Sequence, residues 1–215
     1  MALSKVNFNS MNVTPAASKA IKFNSSNNGL ETGDIGGSLV LLETQTLSSA
    51  AATMDFTSNI DSTYKEYQFH FTDIHPETNN VTFSFQVDTG TNTSYNITCT
   101  STFFRASHNE DDSGTALQYR TNDDQAQGTA FNKLCQTVGN DNDQSCTGIL
   151  HLFDPSSTTF VKHFIATTNG CHEGDITREV FTAGYFNTTT ALTRVRFKFD
   201  SGDIDAGTIK MYGVS

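Results

Sequence analysis

With 215 residues, 13 Lys and Arg against 23 Asp and Glu, and a formal net charge of −10, the chain is too acidic to track a phosphate backbone, which sets nucleic acid aside as a partner. The hydrophobic fraction is only 36%, but 17 Phe and no Trp supply large burial per apolar residue, enough for one full core at this length. No run approaches the roughly 20 apolar residues of a membrane helix. The opening MALSKVNFNSMNV also lacks the basic, apolar and small-residue order of a secretory leader, so the expectation is a chain folded in the cytoplasm with no membrane partner.

Residues 1–38 differ in composition from the rest. They are rich in Asn, Ser and Gly, carry one short apolar cluster at Ala20, Ile21 and Phe23, and close on Gly36 and Gly37. Such a stretch cannot bury enough surface to fold alone, so it reads as an extended N-terminal arm, with Ala20, Ile21 and Phe23 as its contact candidates.

From residue 39 onward, apolar residues recur at every second position. Tyr67, Phe69 and Phe71 alternate with Gln68, His70 and Thr72; Val81, Phe83, Phe85 and Val87 form a second such run. In chain order the pattern predicts strands over 39–46, 66–73, 81–88, 95–105, 116–120, 128–138, 148–153, 159–167, 176–185, 192–199 and 207–214. Gly, Asn, Asp and Pro mark the breaks between them. The stretch 111–130 reads as a long loop with a short strand inside it. With no βαβ alternation, the fold class is all-β, an antiparallel sandwich of jelly-roll-like character over 39–215. Arg194, Arg196 and Lys198 alternate with Val195, Phe197 and Phe199 and read as a solvated outer face.

Residues with chemical potential are scattered. Cys99, Cys135, Cys146 and Cys171 have no CxxC spacing and read as free thiols, although Cys135 and Cys146 flank a turn-rich stretch across which they could face one another. His151 and His163 could approach across a hairpin but have no third ligand to make a metal centre. Cys171, His172 and Glu173 are adjacent, and neighbours in sequence point in different directions, so they do not meet the geometry of a catalytic triad. The acidic loops at 109–114 and 141–143 depart from the EF-hand pattern and read as solvated turns rather than calcium sites. There is no phosphate-cradling glycine loop and no GxSxG elbow. The expectation is therefore a protein that is not an enzyme and has no catalytic, cofactor or metal residues. Its loops would make the contacts, with His108, Asn109, Glu110, Asp111, His172 and Glu173 as candidates.

Four phrases carry a resemblance. They are MDFTSNIDSTYKEY at 54–67, followed by Phe69, Phe71, Ile74, His75 and Pro76; VTFSFQV at 81–87; FDPSSTTFVKHF at 153–164; and SGDIDAGTIKMYGV at 201–214. Together they resemble small structural proteins of tailed bacteriophages, marine ones especially, over about 39–215. The resemblance implies a virion-surface component of head-decoration or short-fibre type, folded in the host bacterial cytoplasm and held to other virion proteins through its arm. It implies a homo-oligomer, with a trimer favoured. The alternative is a tail-fibre-like adhesin that recognises host surface glycans through loops 106–114 and 169–175. The phrases consist of strands and turns, so no catalytic residue is carried over from the family.

Overall fold

The computed structural model describes residues 13–14, 19–26, 28–33, 38–91 and 93–215. The chain divides after Ser38 into two units. Gly36 and Gly37, which close the arm in the sequence reading, lie outside the described residues.

The described part of the first unit is a hairpin rather than an extended arm. Strand β1 (Ala20–Phe23) pairs antiparallel with β2 (Leu30–Gly33), with Phe23 opposite Leu30 and Lys22 opposite Glu31. The Asn and Gly residues between the strands close the turn: the Asn24 amide donates to the Gly29 carbonyl at 2.9 Å, and the Asn24 and Asn28 side chains bond one another. The period of two puts Ile21, Phe23 and Leu30 on one side of this ribbon, and all three are exposed. Lys22 and Glu31, on the other side, form an ion pair at 3.6 Å.

The second unit, Leu39–Ser215, is all-β. Its strands are β3 (Leu39–Thr46), β4 (Met54–Phe56), β5 (Glu66–Pro76), β6 (Val81–Asp88), β7 (Cys99–Asn109), β8 (Thr115–Tyr119), β9 (Gln125–Gly128) and β10 (Asn132–Val138). They continue with β11 (Cys146–Phe153), β12 (Lys162–His172), β13 (Ile176–Phe186), β14 (Arg194–Phe199) and β15 (Ile204–Val214). A wide layer runs β3-β15-β5-β11-β12-β13-β7, with β8 and β9 both paired to β7; a narrow layer runs β10-β6-β14-β4. One antiparallel pair, Val138 with His172, joins β10 to β12, so the sheet curls over itself into a sandwich-like shell. The chain changes layer at β3 to β4, β4 to β5, β5 to β6, β6 to β7, β9 to β10, β10 to β11, β13 to β14 and β14 to β15. Repeated crossing of this kind is what a jelly-roll-like arrangement requires.

The core lies where the two layers face one another. Phe197 of β14 sits among Phe56, Phe69, Phe71, Phe83 and Phe85, with ring centroids 5.2–6.2 Å away, edge-on to Phe56 and Phe71 and stacked with Phe83 and Phe85. Each fully buried ring contributes about 1.5–3 kcal/mol relative to exposure.

The narrow layer departs from simple alternation. Every residue of β6 is buried, including Thr82, Ser84, Gln86 and Asp88, which the pattern places on the wet side. Loops cover that side. Gln86 Nε2 donates to the carbonyls of Ile97, Thr129 and Ala130, and the Asp88 carboxylate accepts the amides of Gly90 and Tyr95. The neighbouring basic row on β14 is likewise engaged. The Arg196 guanidinium lies 4.1 Å from the Tyr95 ring centre, and Lys198 Nζ lies 5.3 Å from that of Phe131.

Candidate functional site

Two surfaces of the sandwich concentrate polar chemistry. The first is one rim, where the strand ends and loops of both layers meet. The stretches 73–80, 108–114, 139–145, 172–175 and 200–205 hold 12 of the 23 acidic residues and no Lys or Arg. Hydrogen bonds tie these stretches together: Glu110 N to Asp175 O at 3.0 Å, Asn140 Nδ2 to Glu77 O at 3.0 Å, Glu77 N to Asp203 O at 3.0 Å, and His75 Nδ1 with Asp205 Oδ1 at 2.6 Å.

The sequence-selected loop residues all fall on this rim. Asn109 pairs with Ile176 where β7 and β13 end, which sets Asn109, Glu110 and Asp111 beside Gly174 and Asp175 around an open dip of about 400 Å³. His108 bonds Asp112 at 3.1 Å, and the Asp111 carboxylate is held below its ordinary pKa by the Ser113 hydroxyl and then by the Ser113 amide, which it accepts at 2.9 Å. His172 Nδ1 accepts the Gly174 amide at 2.9 Å, and burial, with Arg178 behind it, lowers its pKa. Glu173 accepts from Asn79 at 3.4 Å. Cys171 lies beside this rim; burial and then the nearby carboxylates of Glu110, Asp175 and Asp143 push its thiol upward, the reverse of nucleophile activation. Among the described residues no group of three His, Cys, Asp or Glu side chains is placed to hold a metal ion.

Just inside this rim lies a cation pair that sequence reading missed. Arg178 of β13 is 9% exposed, and Arg105 of β7 sits diagonally across the strand pair on the same inward face. Arg178 bonds the Thr137 hydroxyl and Arg105 bonds Gln136 at 2.9 Å, yet both Nε atoms are buried without a partner. Burial, and then Arg105, bring the Arg178 pKa down to about 10.

The second surface is the outer face of the wide layer. A chain of hydrogen bonds runs along β5 and onto β11: His70 Nε2 with Gln68 Oε1 at 3.0 Å, Gln68 Nε2 to Glu66 Oε1 at 2.8 Å, and His151 Nδ1 with Glu66 Oε1 at 2.7 Å. Gln68 donates its amide to the carboxylate, so its oxygen faces His70, and both imidazoles donate inward along the chain. His151 is thus held by Glu66, not by His163. The register sets His151 opposite Ile165 and places His163 opposite Tyr185, whose ring centre lies 6.0 Å away.

Comparison with protein-family models, with curated proteins and with solved structures finds no match to this chain.

The cysteines also take places that spacing could not give. β10 and β11 are not paired, yet the Cys135 and Cys146 thiols interact in the core, stacked over Gly170. All four cysteines are free thiols.

Proposed function

We propose that the chain is a non-enzymatic structural component exposed on the surface of a tailed-phage virion, of head-decoration or short-fibre type. It attaches to other virion proteins through its N-terminal segment and forms a homo-oligomer, with a trimer favoured. The observation that carries this reading is the hairpin: Phe23 is 71% exposed, and Ile21 and Leu30 share its side of the ribbon. An apolar ribbon face left in water is a contact surface awaiting a partner. The second unit supports the reading as a scaffold, since its rim polar groups are largely spent on bonds between loops and its rim thiol is deactivated. The strand and turn phrases at 54–67 and 201–214 add the resemblance to phage structural proteins.

Proteomic analysis of purified particles tests it. The chain is expected in the particle fraction at a stoichiometry that matches a symmetric assembly, and its absence from intact particles removes the proposal.

A further inference from the structure

We infer that the outer face of the wide layer, not the rim loops, is a binding site for a neutral oligosaccharide. The inference goes beyond the virion reading and stands on this face alone, whether or not the chain is a particle component.

The site is a trough of about 610 Å³ across the middle of β5, β11, β12 and β13, in the size range of sites that hold small ligands. Gly148 forms its floor. Its φ is +158, and a side chain there would meet the Thr167 carbonyl at 2.4 Å, so glycine is what lets β11 lie this close to β12 beneath the trough. The trough continues toward β7, sharing Asn169 and Glu179 with a second hollow beside His108.

The lining is rich in acceptors that are held in place. The hydrogen-bond chain through Gln68 and Glu66 commits one nitrogen of His70 and one of His151. Burial lowers the pKa of His70 and keeps it neutral, so its second nitrogen is left as an acceptor. Asn169 spends its amide nitrogen on Thr177 and the Arg178 carbonyl, leaving its oxygen, and the Glu179 side chain is exposed. A lining of acceptors calls for a ligand rich in donors, as a row of sugar hydroxyls is.

Apolar contacts lie beside these groups. Ile149 lines the trough, and Ile165, 51% exposed, stands next to the Phe104 and Phe181 rings, which stack at 4.9 Å across β7 and β13. Carbon-bound hydrogens of a sugar pack against such groups while its hydroxyls face the acceptors. Charge narrows the ligand class further. The lining carries Glu179 and no Lys or Arg; Lys210 stands opposite His70 at its β15 side, but on a chain of net charge −10 the balance favours a neutral glycan over uronic and sialic acids.

Titration of the ¹⁵N-labelled full chain with cellohexaose, xylohexaose, mannohexaose and chitohexaose, followed by amide shifts, tests the site, with hexagalacturonate as the charged control. The expected result is millimolar or tighter binding of at least one neutral probe, with shifts centred on Ile149, Thr167 and Asn169. Glu179→Ala, at an exposed position, is expected to weaken that binding about fivefold with the spectrum otherwise unchanged. Phe181→Ser is expected to weaken it as well. Failure of every neutral probe overturns the inference. So do shifts confined to 109–114 and 172–175, or binding of hexagalacturonate alone. Absence of the chain from virions would remove the proposed function and leave this result standing.

Discussion

Arg196 of β14 grips Asp55 of β4 through two parallel hydrogen bonds, Nε to Oδ1 at 2.7 Å and Nη2 to Oδ2 at 2.6 Å. β4 has only three residues and closes the edge of the narrow layer, so this fork secures a strand that its own ladder holds weakly. Both side chains are roughly one-quarter exposed, which moderates the gain. Arg196→Lys keeps the charge and loses the fork. The expected loss is about 1 kcal/mol, or a fall in Tm of about 2–4 °C for a chain of this size. An unchanged Tm would show that the edge holds without it.

The ring cluster should be far less tolerant. Phe197→Ala leaves five neighbouring rings around a void and is expected to cost about 3–5 kcal/mol. Phe197→Leu is expected to cost distinctly less. Urea denaturation of both variants measures the difference, and equal, small losses would contradict the packing described.

Arg178 behaves in the opposite sense. A buried guanidinium with an unpartnered Nε, beside a second arginine, is a cost that the fold carries. Arg178→Met is therefore expected to be neutral or stabilising by about 1 kcal/mol. A clear loss of stability would mean that its bond to Thr137 outweighs burial.

Acid should weaken the fold in two stages. Burial lowers the pKa of His70, as it does that of His172, below the ordinary 6.5. The unfolded chain then takes up protons near 6.5 that the folded chain still refuses. The contribution is complete above that value and is lost as pH falls through it toward the folded pKa. Asp123 follows at lower pH. Burial raises its pKa, but hydrogen bonds from Lys133 and Arg120 outweigh that and leave it below 3.8, so its contribution is lost as pH falls from 3.8 toward that lower value. The urea midpoint is expected to be lower at about pH 5.5 than at about pH 7.5, with a smaller gap in His70→Gln. Equal midpoints would contradict the sign.

Thiol chemistry should report burial. Burial pushes the Cys99 thiol up to about 12, and burial with Cys135 alongside pushes Cys146 up as well. Native protein with a thiol reagent is expected to label Cys171 alone, and slowly, while denatured protein labels all four. Rapid native labelling of Cys135 or Cys146 would show that the layers part at that end.

The fold was largely legible in the residues because a period of two with a buried face admits few alternatives. β3 and β6 fall on the expected ranges. β4 was missed because its alternation, Met54-Asp55-Phe56, is too short to stand out, and the hairpin at 20–33 was missed because its Asn-rich turn reads equally well as a loose linker. The burial of Gln86 and Asp88 was hidden because loops fold over them, 129–130 and 97 on Gln86 and the following 90–95 on Asp88. The adjacency of the 109–114 and 172–175 loops follows from the β7–β13 register, which no single strand encodes. The acceptor chain of His70, Gln68, Glu66 and His151 crosses from β5 to β11; only its β5 half, the wet side of an alternating run, could be read from sequence.

The hairpin's apolar face is the proposed attachment surface. The most direct measurement compares the native chain with an Ile21→Ser, Phe23→Ser double variant, each followed into purified particles by antibody labelling and electron microscopy. Label is expected on the outside of particles carrying the native chain and is expected to be lost with the double variant, whose sandwich remains folded. Equal incorporation of both, or label absent from particles altogether, would contradict it.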